Sequence, residues 1–446
     1  MRLAVGDDVP GAVGVTFEAM DGRRQVHFRI DRTLHAGALS EAAGRQIAEA
    51  ARLALRLRVP LVGVISSSGA DVHEGVAALH GWGTAARAMV QCSGIVPIAL
   101  AVTGPAVSGP ALFLGLADLV AMTGDAFAYV SGPDAVASWS GLHLSARELG
   151  GAAVHGRTTG VATFVTGTEE EALATLDHAL AYLPDHNGEE APTWPAGDDP
   201  GRSTPELRDL LPDAPNGSYD VRRLIAAIAD DGDLLELRPR WAPNLVTAFA
   251  AIGGRSVGVV ANQPQAVAGT LDIEASQKGA GFVTLCDAFN LPIVTIVDTP
   301  GFFPGKDLEW RGMIRHGAQL AFAYAEATVP RVAVITRKSY GGAYIVMDCK
   351  SMGNDVCLAW PSAEVAVMGA KGAIAILHRR EEPEAQVRLE AAYAEELLTP
   401  WVAAERGYVD AVIDPADTRA CIARALDHLA AKRERLAPRV HANGPL

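Results

Sequence analysis

The sequence predicts an α/β protein that contains two copies of one domain. Its apolar segments are continuous and rich in β-branched residues, as at 293–297 and 332–336, which is typical of strands buried on both faces of a sheet. Amphipathic helices are predicted between the strands. Ser40, for example, can cap a helix that carries Ile47 and Ala54 on one face. This alternation favours a sheet covered by helices.

The two halves of the chain repeat one another. Pro60 and Gly69 bound a predicted strand in the first half, and Pro292 and Gly301, each 232 residues later, bound one in the second. Two further blocks recur in the same order at offsets of 233 and 237: Val96-Pro97 with Val329-Pro330, and Asp118 and Gly132 with Asp355 and Gly369. Three blocks in one order indicate an internal duplication.

A proline-rich segment separates the halves. Six prolines fall between Pro192 and Pro215 among Gly, Asp and Ser, and such a segment cannot bury enough apolar surface to fold alone. We therefore predict a first domain at residues 1–190, a linker at 191–216 and a second domain at 217–446.

The composition excludes several classes of protein. The 38 basic and 52 acidic residues give a formal net charge of −14, which argues against nucleic acid or an anionic membrane as the main partner. The five cysteines form no C-x-x-C pair and no zinc spacing, so a reducing, cytoplasmic compartment is expected. The N-terminus has no apolar signal segment, and the apolar stretch 95–117 contains six prolines and glycines, so no membrane span is predicted.

Motifs of ionisable catalytic residues are scarce. The G-x-S-x-G match at 254–258 puts Ser256 at the start of a strand, whereas a nucleophilic serine would lie between a strand and a following helix. The twelve histidines show no metal-ligand spacing, so no metal site is predicted.

Glycine loops that follow buried strands form the candidate site instead. The loops are Gly69-Ala70 and Ser108-Gly109 in the first half, and Gly301-Phe302 and Gly341-Gly342-Ala343 in the second. Backbone N–H groups at the start of a helix can bind an anion, and glycine lets an oxygen approach them closely. Two such loops in each half would form an oxyanion hole for an enolate or a tetrahedral anion. Tight turns are the alternative for any one loop, but the repetition in both halves favours a function.

Motifs along the second half carry a resemblance to a known family. The main ones are Gly254-Arg-Ser-Val-Gly-Val-Val-Ala-Asn-Gln-Pro264, Asp298-Thr-Pro-Gly-Phe302, Arg337-Lys-Ser-Tyr-Gly-Gly-Ala-Tyr344 and Ala403-Ala-Glu-Arg-Gly-Tyr-Val-Asp410. These motifs resemble the carboxyltransferase (β) subunit of biotin-dependent acyl-CoA carboxylases, above all the propionyl-CoA carboxylase type. The first half is similar more loosely, for example through Gly69-Ala-Asp-Val-His-Glu-Gly75.

The resemblance implies two tandem crotonase-like (ClpP/crotonase) domains, the first holding acyl-CoA and the second carboxybiotin. It implies that Ser108 and Gly109 donate N–H groups to the enolate of the acyl thioester, and that Gly342 and Ala343 donate to the ureido oxygen of biotin. The other implied contacts are Gly69, Ala70, Gly132 and Ile345 for the acyl substrate, and Gly301, Phe302, Gly341 and Tyr344 for the cofactor. The apolar Ile345 suggests an apolar acyl chain.

The family also implies partners. Its active site forms where the first domain of one subunit meets the second domain of another, commonly in a hexamer arranged as a trimer of dimers. Carboxybiotin supplies both the carboxyl group and the base, which would explain the scarcity of acid–base residues. The chain has no biotinyl-lysine motif and no ATP-grasp domain, so biotin is expected to arrive on a biotin carboxylase or biotin carboxyl carrier subunit.

Three departures from the family pattern fall in the first half. An N-terminal region usual in the family is missing, so the chain opens almost directly at the first domain. Ser108-Gly109-Pro110 stands where Gly-Gly is common, and proline has no N–H. Asp71 stands where an arginine is usual. These changes fall in the acyl-CoA half, so they bear on the identity of the acyl group and on CoA as its carrier more than on the biotin half.

Other functions remain open at this point. A decarboxylase subunit of the same fold would run the transfer towards biotin. A crotonase-type thioester hydrolase or decarboxylase would work without biotin, although the intact second half speaks against it. A structural or regulatory subunit that has lost the first hole is the non-enzyme alternative, and Asp71 and Pro110 motivate it.

Overall fold

Two units make up the chain in the computed structural model, Met1–Glu190 and Ala191–Leu446. The structure describes residues 13–20, 22–214 and 217–445. The N-terminal stretch in which no signal segment was predicted (residues 1–12) lies outside the described residues, as do residues 215–216 of the predicted linker.

The first unit is a mixed sheet with helices on it. Its described strands follow the order β1-β2-β3-β4-β5-β7, and β6 pairs with the end of β4. Only the β1–β2 pair is antiparallel among these described strands. The strands are β1 (Val13–Met20), β2 (Arg23–Ile30), β3 (Leu61–Ser67), β4 (Ile98–Val107), β5 (Leu119–Thr123), β6 (Phe127–Tyr129) and β7 (Phe164–Thr166).

One long helix packs on this sheet and a second long helix packs on the first, and both carry buried small side chains. Ser40 caps the first of them by accepting a hydrogen bond from the Ala43 N–H, and Ile47 and Ala54 are buried, as predicted. The helices are α1 (Glu41–Leu57), α2 (Val76–Cys92), α3 (Gly109–Phe113), α4 (Pro133–Ser140), α5 (Ala146–Gly150), α6 (Ala152–Val154) and α7 (Glu169–Ala181).

The second unit has the same sheet with an extra strand at one edge. Its described strands follow the order β15-β13-β12-β11-β10-β9-β8, and β14 pairs with the end of β12. The strands are β8 (Leu234–Leu237), β9 (Leu245–Ile252), β10 (Arg255–Asn262), β11 (Ile293–Thr299), β12 (Arg331–Tyr340), β13 (Val356–Ala359), β14 (Glu364–Ala366) and β15 (Ala411–Val412).

Helices again follow the strands of the second unit. They are α8 (Arg222–Ile228), α9 (Ile273–Ala288), α10 (Lys306–Trp310), α11 (Met313–Glu326), α12 (Gly341–Val346), α13 (Ala370–Leu377), α14 (Pro383–Tyr393), α15 (Pro400–Glu405) and α16 (Thr418–Leu429). A π-helical turn at Ala394–Leu398 joins α14 to α15.

The internal duplication is confirmed down to single hydrogen bonds. Leu39 pairs with the Gly69 loop through its N–H, and Leu271, 232 residues later, does the same with the Gly301 carbonyl. The carboxylate of Asp118 accepts the N–H of Ile98 at 2.8 Å, and Asp355 accepts that of Arg331, also at 2.8 Å. Gly132 and Gly369 each precede a helix as its N-cap. The predicted α/β class with two tandem crotonase-like domains is therefore correct.

The proline-rich segment packs against the second unit instead of running free. The Trp194 N–H donates to the Gly254 carbonyl at 2.7 Å, and the Thr204 N–H donates to Ala416 at 2.7 Å. Arg419 of α16 is fully buried and binds the carbonyl oxygen of Asp199 and the carboxylate of Asp230. The described part of this segment therefore belongs structurally to the second unit.

Two sequence predictions about local elements are also settled. Ser256 is a buried residue of β10, so it is not a nucleophile at a strand-to-helix turn. The apolar stretch 95–117 contains β4 and the short helix α3. Among the described residues, no helix is long and apolar enough to cross a membrane.

Candidate active site

The first glycine loop follows β4 and has one N–H less than predicted. Ser108 has φ +58° and ψ −123°, and its N–H already donates to the Tyr129 carbonyl at 2.9 Å. Gly109 begins α3, where an N–H has no acceptor within the helix. Because Pro110 has no N–H, Gly109 is the residue of this triplet with a backbone donor to offer. The expectation that Ser108 donates to an enolate therefore does not fit this geometry.

The other predicted residues of the first unit surround this loop. A Cβ atom on Gly69, which has φ +115°, would lie 3.5 Å from the Val107 carbonyl oxygen and 3.9 Å from Ser108 Cβ. Gly132 lies against the Tyr129 ring, and Ala70 pairs with Leu39 in an isolated bridge. The structure thus brings Gly69 close to Ser108 and places Gly132 against Tyr129, whose carbonyl accepts the Ser108 N–H.

The indole of Trp82, on α2, packs directly against Gly109. A Cβ atom on Gly109 would lie 2.7 Å from Trp82 Cδ1, so only glycine leaves room for the indole here. Trp82 stacks on Phe113 with ring centroids 6.0 Å apart. Sequence reasoning missed this residue, because no motif marks it.

The second glycine loop follows β12 and keeps its N–H donors. Gly341 has φ +59° and opens α12. The N–H groups of Gly342 and Ala343 lie in the first turn of that helix, where helical acceptors are lacking. A Cβ atom on Gly342 would lie 3.2 Å from the Phe302 ring, so the predicted Gly301-Phe302 loop does lie beside this donor pair.

A buried ion pair ties the two loops of the second unit together. Asp298, three residues before Gly301, accepts hydrogen bonds from Arg337 Nε and the Lys338 N–H, each at 3.1 Å. Burial raises the pKa of the Asp298 carboxyl, although Arg337 opposes the change. This bond joins β11 to β12 just before the strands lead into their loops.

An apolar cavity of about 680 Å³ opens beside the second loop. Gly341, Gly342, Tyr344 and Ile345 line it, as does Arg406. Burial raises the pKa of the Tyr344 hydroxyl above its usual value. The remaining lining residues are Ser351, Val365, Ala366, Val367, Tyr393, Leu397, Val402, Ala403 and Tyr408.

Sequence reasoning missed much of the cavity wall. Arg406 and Tyr408 belong to the motif that starts at Ala403, so that motif was the available signal. Tyr393 and Leu397 come from the end of α14 and the π-helical turn, and no motif marked them. Their position in the cavity wall depends on the path of the helical segment formed by α14 and the π-helical turn.

The chemistry of this site is that of backbone donors around an apolar space. No group of three or more His, Cys, Asp or Glu side chains in the described ranges could hold a metal ion. The N–H groups of Gly342 and Ala343 can stabilise a developing oxyanion by position alone.

The sequence matches a known protein family and is similar to known proteins. A family described as "Carboxyl transferase domain" matches residues 12–443. Methylmalonyl-CoA decarboxylase subunit alpha of Veillonella parvula is 43% identical over 441 residues, covering 98% of this chain and 86% of that protein. The propionyl-CoA carboxylase beta chain of Saccharopolyspora erythraea is 44% identical over 446 residues, covering 96% of this chain and 82% of that one.

A solved structure agrees with these relatives. Transcarboxylase 12S, determined as a hexamer with methylmalonyl-coenzyme A and methylmalonic acid bound, superimposes with a TM-score of 0.96. The two chains are 42% identical, and the match covers 98% of this chain and 85% of the other.

Proposed function

This chain belongs to the carboxyl transferase domain family, and we propose that it moves a carboxyl group between biotin and the α-carbon of an acyl-CoA. It is an enzyme of the biotin-dependent acyl-CoA carboxyltransferase class, like its propionyl-CoA carboxylase relatives. The observation that carries the proposal is the second glycine loop, whose Gly342 and Ala343 N–H groups lie in the first turn of α12 beside the apolar cavity.

The cavity fits the bicyclic ring of biotin. Its wall is mainly apolar, through residues such as Ile345, Val365 and Leu397, and a ureido oxygen could accept hydrogen bonds from Gly342 and Ala343. Carboxylated biotin would supply the carboxyl group and then the base that removes the α-proton. The protein's own part is to hold the reacting groups in place and to stabilise the oxyanion.

The first glycine loop would hold the acyl thioester with fewer donors than the family pattern suggests. Its Gly109 N–H is available, whereas the Ser108 N–H is bound to Tyr129 and Pro110 has none. Stabilisation of the enolate by this loop would therefore rest mainly on one backbone donor, with Gly69, Ala70 and Gly132 shaping the space around the acyl group. The apolar Ile345 supports an apolar acyl chain.

The partners follow from the same comparison. Biotin would arrive on a carboxylase or carrier subunit, and the chain would assemble with copies of itself, as the hexameric transcarboxylase 12S does. Its place of action would be the cytoplasm, where acyl-CoA is available and the five free cysteines stay reduced.

The direction of transfer gives a second candidate function. Methylmalonyl-CoA decarboxylase subunit alpha is as similar to this chain as the carboxylase subunits are. The same two loops could move the carboxyl group from the acyl thioester to biotin, because both directions pass through the same enolate.

The test uses the full-length chain and a biotinylated carrier protein. Methylmalonyl-CoA and malonyl-CoA labelled in the free carboxyl group are incubated with both, and label on the carrier is measured. We expect biotin-dependent transfer, and the reverse reaction with propionyl-CoA and carboxylated carrier. Absence of transfer in both directions, across a broad acyl panel, would reject the proposal. Calorimetric binding of CoA thioesters would then separate a structural subunit, which should show no heat, from a different enzyme.

A further inference from the structure

We propose that Arg406 binds the carboxylate that is transferred. This assignment rests on the proposed function and adds a residue that acts on the carboxyl group itself. Its basis is that Arg406 is the cation of a cavity otherwise lined by apolar, hydroxyl-bearing and glycine residues.

The backbone fixes where Arg406 stands. It follows α15, and the next residue, Gly407, has φ +74°, which ends the helix. The Gly407 N–H donates to the Ala404 carbonyl and the Tyr408 N–H donates to Ala403, each at 2.9 Å. This turn holds Arg406 between two other cavity residues, Ala403 and Tyr408.

The charge of Arg406 is not neutralised within the described chain. The residue is exposed, and no carboxylate of the described residues forms an ion pair with it. Among the residues that line the cavity there is no Asp or Glu, and Arg406 is the one cation.

The ligand that such a site prefers is a carboxylate. A guanidinium offers parallel N–H donors that match the two carboxylate oxygens. Gly342 lines the same cavity, so the cavity combines backbone donors for an oxyanion with a side-chain donor for a carboxylate.

A carboxylate could reach Arg406 from either of two sources. It is present on methylmalonyl-CoA and absent from propionyl-CoA, and it is also present on carboxylated biotin. Both sources share one chemistry, so the experiment needs one arm for each.

The experiment compares the full-length protein with Arg406→Gln, Arg406→Lys and Arg388→Gln. Arg388 lies on α14, is exposed and does not line the cavity, so Arg388→Gln removes the same charge elsewhere. The first arm measures the Kd of methylmalonyl-CoA and of propionyl-CoA by calorimetry. The second arm measures the KM of carboxylated carrier with saturating propionyl-CoA.

We expect Arg406→Gln to raise the Kd of methylmalonyl-CoA at least about tenfold, since hydrogen bonds between charged groups are worth more than 1.4 kcal/mol. In the same variant, the Kd of propionyl-CoA should change less than twofold. Arg406→Lys should recover most of the affinity for methylmalonyl-CoA, and Arg388→Gln should match the wild type. A selective rise in the KM of carboxylated carrier alone would support the assignment with biotin as the source.

Two results would overturn the assignment, and they differ from each other. If Arg406→Gln leaves both arms within twofold of the wild type while the wild type transfers carboxyl groups, the role of Arg406 is wrong and the proposed function stands. If the wild type neither binds CoA thioesters nor transfers carboxyl groups, both fail together.

Discussion

Ser108 in the first unit and Gly341 in the second share a positive backbone φ, +58° and +59°. They lie 233 residues apart, each directly after the long strand that leads into a glycine loop. Positive φ is ordinary for glycine and strained for serine. The duplication has therefore kept a backbone shape at Ser108 that its side chain does not favour.

Replacing Ser108 by glycine should stabilise the protein. The strain relieved is about 1–3 kcal/mol, and the added flexibility of the unfolded chain offsets part of it. We expect the free energy of unfolding of Ser108→Gly to rise by about 1 kcal/mol, measured by urea denaturation. Ser138 on α4 is exposed and helical, so the matched variant Ser138→Gly should lose stability instead. Equal losses in both variants would contradict the strain at Ser108.

Arg419 should be essential for the second unit, because its guanidinium is fully buried and its partners come from the proline-rich segment and the residues after α8. Removing one partner of a buried charge network costs about 3–5 kcal/mol. Arg419→Ala should lose that much in the free energy of unfolding. Arg208→Ala breaks an exposed pair with Asp414 and should lose less than about 1 kcal/mol. Similar small losses for both would show that the segment is only loosely attached.

Lys278 should make stability depend on pH. Its Nζ is buried and donates to the carbonyl oxygens of Arg238 at 3.0 Å and Trp241 at 2.9 Å, and burial lowers its pKa from 10.5 to about 7. Between these values the unfolded chain holds a proton that the folded chain does not, so folding becomes more favourable as pH rises. That gain is lost progressively as pH falls from about 10.5 to about 7, and below about 7 both states hold the proton.

The measurement is the free energy of unfolding between pH 7 and 10 in the wild type and two variants. Relative to Lys278→Met, the wild type should gain about 1 kcal/mol per pH unit. Lys371→Met removes an exposed lysine and should follow the wild-type slope. Parallel slopes in all three proteins would refute the lowered pKa.

Ile345 should influence which acyl group is accepted. Its side chain lines the cavity and is 46% exposed. In an apolar pocket one methylene of substrate is worth about 1–3 kcal/mol. Ile345→Ser should therefore lower the ratio of kcat/KM for propionyl-CoA over acetyl-CoA by about tenfold, whereas Ile345→Val should change it little. An unchanged ratio for Ile345→Ser would place the acyl group elsewhere.

The sequence revealed the duplication, the alternation of strands with helices and the glycine loops because these depend on local patterns that recur at a fixed offset. It could not reveal that the Ser108 N–H is bound to Tyr129, since that bond depends on β6 pairing with the end of β4. Nor did composition predict that Arg419 would bind the proline-rich segment. Tyr393 likewise reaches the cavity only through the path of α14. Local sequence patterns do not reveal contacts between segments that are far apart in the chain.

The backbone donors of the second loop are the centre of the proposed chemistry, and Ala343→Pro tests them directly. Proline is tolerated in the first turn of a helix, and Pro110 occupies the equivalent position of the first unit. The substitution deletes one N–H donor, and loss of one such donor costs about 100- to 1,000-fold in rate. Ala343→Gly is the matched variant, because it changes the side chain and keeps the N–H.

The measurement is kcat/KM for carboxyl transfer from methylmalonyl-CoA to biotinylated carrier, with calorimetric binding of methylmalonyl-CoA as the check that each variant is folded. We expect Ala343→Pro to lose about 100-fold or more while still binding the thioester, and Ala343→Gly to stay within about fivefold of the wild type. If Ala343→Pro transfers carboxyl groups as fast as Ala343→Gly, the oxyanion is not held by these backbone donors.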